Sequence, residues 1–131
     1  MSSVFDVADE IAHRFEFGVP VAKLNRLLFL CQAYSISRLE RPMFDEPLEK
    51  WRNGPVSRDI NDWATAHDVI SVREVDRGSK SNLAPEDLAI IDHVVSRYGA
   101  LSSMQISDII YVRAAKPPVL SQQDIKDFFL H

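Results

Sequence analysis

Apolar residues recur at intervals of three and four along most of the chain, the spacing of one helix face rather than the alternation of a strand. Val4, Val7, Ala8, Ile11 and Phe15 follow Ser3, which pairs with Asp6 in the form of a capping box, and Gly18 supplies a stop. Pro20 opens a second helix reaching about Arg38, whose Val21, Leu24, Leu27, Leu28, Cys31 and Tyr34 form a stripe broad enough to predict the centre of the core. Pro42, Pro47, Gly54 and Pro55 argue against a continuous helix through 42–56 and predict turns around a short extended piece, Leu48 to Trp51. Pro55 then fits the first turn of a third helix with Val56, Ile60, Trp63, Ala64 and His67 on one side. The β-branched stretch Val69 to Val75 predicts a strand, expected to pair with Leu48 to Trp51 as a two-stranded ribbon.

Beyond it, the polar segment Asp76 to Asn82 with Gly78 predicts an exposed loop. Pro85 opens a fourth helix, in which Leu88, Ile91, Val95 and Tyr98 line up before Gly99. Ser102 with Gln105 caps a fifth, carrying Ile106, Ile109 and Ile110 and ending before Pro117 and Pro118. Ser121 with Asp124 caps a short last helix whose Ile125, Phe128 and Phe129 are apolar enough to dock on the body. These elements predict a mainly α (α+β) fold: one domain over 1–131, a compact bundle of about six helices with a short two-stranded β-ribbon.

Composition fits that picture. The 131 residues are enough to bury a core without disulfides, and 46% hydrophobic with 26% charged residues is ordinary for a globular domain. The net charge of -4 turns the chain as a whole away from phosphate backbones and anionic lipid surfaces. The longest apolar run, Leu27 to Cys31, is far short of a membrane span, and the start MSSVFDVADE has no signal-peptide pattern, so a cytoplasmic location without membrane contact is expected. Cys31 is the only cysteine and lies among leucines, where a buried inert thiol is expected.

Candidate chemistry is sparse. His13, His67, His93 and His131 fall on separate elements with no helical metal pair; His13 and His93 read as solvated polar residues, His13 beside Asp9 and Glu10 on a solvent-facing stretch. The four glycines form no phosphate loop, and a Cys31 to His67 nucleophile pair lacks an activating charge. No enzyme activity and no cofactor are expected. A helix-turn-helix over 102–130 with Arg113 and Lys116 would suit DNA, but Asp124 and Asp127 on its second helix oppose phosphate, which disfavours nucleic acid as a partner.

Some residues invite a binding role. Lys23 and Arg26 sit in the first turns of the second helix, where the helix dipole disfavours cations. Either acidic residues of the first helix, such as Asp9 or Glu16, pair with them, or they meet an acidic partner. Trp51 and Trp63 flank the Gly54-Pro55 turn and either pack it into the core or, for Trp51 with Arg52, serve as an interface anchor. Gly54 itself is explained by backbone geometry before Pro55.

The run Lys23-Leu24-Asn25-Arg26-Leu27-Leu28-Phe29-Leu30-Cys31-Gln32-Ala33-Tyr34 is followed by Pro42-Met43-Phe44-Asp45-Glu46 and Trp51-Arg52-Asn53-Gly54-Pro55-Val56. Together these resemble the signature of the Panacea-domain family of SocA-like antitoxins and phage-associated proteins: Lys-Leu-x-Lys-Leu-Leu-Tyr, a Gln soon after, Pro-x-Phe-Asp, then Trp-x-x-Gly-Pro-Val. The order and spacing agree over residues 6–67. Near the end the chain departs from the family's Thr-His and Pro-Trp pairs, having Tyr111-Val112-Arg113-Ala114-Ala115-Lys116-Pro117-Pro118 instead. The resemblance implies a mainly helical fold and an antitoxin that binds and neutralises a cognate toxin protein. In the SocA branch it also implies delivery of the toxin to the protease ClpXP as an adaptor, for which the tail Phe128-Phe129-Leu130-His131 is a candidate docking element; a DNA-binding autoregulator is the other alternative. The partner-binding candidates are Lys23, Arg26, Trp51, Arg52 and Arg58.

Overall fold

The structure is a computed structural model and describes residues 2–52, 54–110 and 119–127. Its centre is helix α2 (Val21–Leu39), in which Leu24, Leu27, Leu28, Phe29, Leu30, Cys31 and Ala33 have no exposed surface. Those residues occupy every side of the helix, as only a helix surrounded by protein can tolerate. Around it pack α1 (Val4–His13), α4 (Pro85–Tyr98), α5 (Ser103–Ile109) and α6 (Gln122–Lys126). The capping boxes expected for α1, α5 and α6 are present: Ser3, Ser102 and Ser121 accept the amides of Asp6, Gln105 and Asp124, whose side chains accept in return.

The strands pair differently from the sequence expectation. Strand β2 (Leu48–Trp51) does not meet the 69–75 stretch; it turns straight back on β3 (Gly54–Ser57), with Leu48 opposite Ser57 and Trp51 opposite Gly54. On its other side β2 pairs with β5 (Val119–Leu120). Ser71–Val72, strand β4, pairs instead with β1 (Val19–Pro20), the lead-in to α2. A hairpin closes a far shorter loop than a return from residue 69 would, and Pro55, which has no N–H to give, is tolerable because β3 lies at the sheet edge. Pro55 is therefore a strand residue, and α3 (Arg58–Ala66) starts later, capped by the Ser57 hydroxyl accepting the Ile60 amide at 3.2 Å.

The 76–82 segment is exposed, as expected, but it is tethered to α1. The Asp9 carboxylate accepts the Val75 amide at 2.7 Å, and Asp6 accepts the Ser79 amide at 2.8 Å and the Asn82 side chain at 3.1 Å. Gly78 lies so close to α1 that a Cβ there would sit 2.2 Å from the Phe5 carbonyl oxygen. Only His13 of the stretch read as solvent-facing is open, since Asp9 and Glu10 are buried. His93 is not freely solvated either: it packs edge-on against Tyr34, and its Nε2 is buried without a hydrogen-bond partner among the described residues. Of the two tryptophans, Trp63 is in the core and donates to Asp76, whereas Trp51 is 39% exposed. Leu120 and Ile125 dock the β5–α6 unit, while Phe128, Phe129, Arg113 and Lys116 lie outside the described residues.

Candidate functional site

Between the N-terminal half of α2, the β2–β3 hairpin and α5 lies an open groove of about 970 Å³. Two polar residues of α2 hold its walls in place. Asn25, 2% exposed, accepts the Ser57 amide at 3.0 Å and donates to Asn61 at 2.8 Å, tying the end of the hairpin and the start of α3 to the central helix. Arg26 is also buried: one nitrogen donates to the Ala22 carbonyl of its own helix and Nε donates to the Ser107 hydroxyl of α5. Desolvation pulls its pKa below the ordinary arginine value, yet arginine starts so high that the guanidinium stays charged. Gly54 faces this guanidinium. Its φ of 130° lies where side chains other than hydrogen are strained, while a Cβ would meet Arg26 only at ordinary contact, 3.6 Å, so backbone conformation rather than space calls for glycine.

The hairpin presents Lys50, Trp51 and Arg52 to the groove, and α5 presents Met104, 75% exposed. Trp51 is held rigidly. Its indole N–H donates to Glu49 Oε1 at 2.9 Å, and Arg58 lies over its ring at 5.5 Å from the centroid. Arg58 in turn grips Glu49 with two bonds of 2.9 and 3.0 Å. Those bonds from Arg58, then the one from Trp51, hold the Glu49 carboxyl below the usual carboxylate range.

Three of the five candidates from sequence, Arg26, Trp51 and Arg52, thus come together on the groove. Arg58 stands behind Trp51 with its charge matched by Glu49. Lys23 belongs elsewhere: its ammonium donates to the Gly99 carbonyl at 2.6 Å and lies 5.1 Å from the Phe15 ring centroid, so it fastens α2 to the end of α4. Asp9, one of the two acids anticipated as partners alongside Glu16, accepts the Val75 amide instead. Lys50, Met104 and Asn25 were not singled out in the sequence. A lysine in a strand and an isolated methionine beside an isoleucine stripe carry no local signal; only the meeting of hairpin and α5 brings them together.

Among the described residues no group of three or more His, Cys, Asp or Glu is placed to hold a metal ion. Cys31 is fully buried and burial pushes its thiol pKa well up, while His67 is exposed and bonded through Nδ1 to the Trp63 carbonyl, so the two form no nucleophile pair. No described helix is long and apolar enough to cross a membrane.

Fold and groove together define a mainly α domain that builds a cation-lined, tryptophan-walled groove on its central helix. Residues 24–115 match the family described as antitoxin SocA-like, Panacea domain, and the chain belongs to that family. The match takes in every described lining residue of the groove except Val21 and Ala22. Comparisons with curated proteins and with solved structures give no match.

Proposed function

We propose that this chain is the antitoxin of a bacterial toxin–antitoxin pair and that it neutralises a cognate toxin protein by binding it directly, with no cofactor and no catalytic step of its own. The observation that carries this reading is the family match, which covers the central helix from Leu24 onward and the β2–β3 and α5 walls of the groove. A rigid, part-exposed tryptophan beside arginine is the kind of surface on which protein interfaces concentrate their binding energy. Operator DNA is a poorer fit, because α6 carries Asp124 and the chain is net negative.

The test is co-expression with the product of the adjacent gene, scored by growth and by co-purification. The expected result is a neighbour that is toxic alone and harmless in a stable complex. A neighbour that is toxic but neither rescued nor bound would overturn the proposal. Repeating the experiment in cells lacking ClpXP separates direct neutralisation, which persists, from delivery to the protease, which is lost.

A further inference from the structure

Among the described residues, three arginines are matched by carboxylates. Arg14 pairs with Glu10 and Asp92, Arg41 with Asp87, and Arg58 with Glu49. Lys50 and Arg52, like several other described cations, have no ion-pair partner among the described residues; what sets them apart is their place in a groove none of whose described lining residues carries a carboxylate. A chain of net charge -4 has therefore kept a locally cationic groove whose outermost charges are unmatched. Such a region draws and orients anionic partners.

The same groove exposes apolar surface of two kinds. Trp51 is fixed by Glu49 and Arg58, so covering it loses little side-chain freedom. Met104 is flexible and polarisable, suited to fitting an apolar group of variable shape. The groove's volume of about 970 Å³ is at the upper end of the range typical of ligand clefts, room for a short peptide segment rather than one side chain. A nucleic-acid strand carries a charge at every nucleotide and would run beyond these few cations onto a net negative surface, which favours a short acidic segment instead.

We propose that the groove receives an acidic segment of the toxin in which carboxylates flank one large apolar side chain. The carboxylates meet Lys50 and Arg52, and the apolar side chain covers Trp51 and Met104. The ownership of the segment rests on the antitoxin reading; the chemistry of the groove does not.

Phage-displayed random peptides of about 12 residues, panned on the full chain, test the chemistry. Enriched sequences are expected to carry two or more Asp or Glu around a Leu, Met, Phe or Trp. Synthetic copies are expected to lose roughly tenfold or more in affinity to a Lys50→Glu/Arg52→Glu protein and to weaken as salt rises. An Arg73→Glu/Lys80→Glu protein, altered at exposed cations elsewhere, serves as control and should bind as the unaltered chain does. Absence of enrichment, enrichment of neutral or basic peptides, equal loss in the control, or tighter binding of an oligothymidylate would each overturn the proposal. In co-expression, a Lys50→Glu/Arg52→Glu protein that still folds, binds and neutralises the toxin would overturn the groove assignment while leaving the antitoxin reading intact. Groove-dependent binding of acidic peptides by a chain that neutralises nothing would overturn the antitoxin reading instead, and with it the ownership of the segment.

Discussion

Truncating Asn25 to alanine should loosen the groove from its floor. Asn25 Oδ1 is the acceptor for the Ser57 amide at 3.0 Å, and Ser57 has no exposed surface. Removing the acceptor leaves a buried N–H unsatisfied, which costs about 1–3 kcal/mol. The second lost bond, to Asn61, matters less, because Asn61 is partly exposed and water can replace its partner. The shortened side chain faces the groove, so water rather than a dry void fills the space, and no large cavity cost is added. The sum is about 2 kcal/mol, or a fall of about 8 °C in Tm for a chain of this length. Urea unfolding at 25 °C followed by tryptophan fluorescence measures the first figure, and a thermal scan the second. Asn61→Ala, which breaks only the exposed bond, should cost less than about 1 kcal/mol. Hydrogen exchange at the Val56 and Ser57 amides should speed up in Asn25→Ala and not in Asn61→Ala. An Asn25→Ala protein within about 0.5 kcal/mol of the unaltered chain, or an Asn61→Ala protein that loses as much, would refute the claim that this buried amide ties the hairpin to α2.

Gln32 is 5% exposed, donates to the Phe44 carbonyl at 2.8 Å and accepts the Met43 amide at 2.7 Å and the Phe44 amide at 3.3 Å; Gln32→Leu orphans all three backbone groups and should cost about 3 kcal/mol in urea unfolding, a loss below about 1 kcal/mol counting against it. Burial pushes the Asp6 pKa up, but the Ser3 amide, the Asn82 side chain and the Ser79 amide outweigh it and hold the folded value below the ordinary 3.8. A depressed carboxylate contributes stability above its unfolded value and loses it as pH falls through the folded one, so the unaltered chain should weaken below about pH 4. Asp6→Asn should be less stable at neutral pH and show a flatter acid limb in denaturation measured across pH 2 to 7; identical limbs would refute this. Cys31, fully buried with its thiol pKa raised, should resist thiol-reactive dyes at pH 8 in the folded protein and react at once in urea; fast labelling of the native chain would contradict its placement.

The helices were legible because each carries its own signal: an apolar stripe and, for α1, α5 and α6, a serine paired with a carboxylate or amide three residues on. The strands were not. Residues 54–57 include a glycine and a proline and look like a turn; they become a strand because Asn25, on a helix read for its apolar stripe and its two cations, accepts the Ser57 amide. The loop 76–82 is exposed, as its composition predicts, but its tethering was not legible, since the carboxylates of Asp6 and Asp9 that hold it and the preceding Val75 lie about 70 residues earlier in the chain. At the groove, residue type alone found Arg26, Trp51 and Arg52. It could not tell that Arg58 is matched by Glu49 across the hairpin, or that Lys23 reaches the carbonyl end of α4.

Four polar residues inside α2 tie other segments to it, and two of them, Arg26 and Gln32, stand at positions of the signature that the sequence resembles. Asn25 binds the Ser57 amide, Arg26 the Ser107 hydroxyl, Gln32 the backbone of Met43 and Phe44, and Ser35 the Arg41 carbonyl. These ties fix the end of β3, the helix α5 and the irregular 41–44 stretch onto the one helix that the core surrounds. The signature elements, the Gln within α2, the stretch from Pro42 to Phe44, and Trp51 with Gly54, Pro55 and Val56, are largely the two ends of these ties and the hairpin they hold. Lys50, Arg52 and Met104, which give the groove its charge and its adaptable apolar surface, stand at positions that the signature leaves open. The ties from α2 therefore set the frame of the groove, and the residues placed in that frame give it a chemistry that differs from the net negative charge of the chain around it.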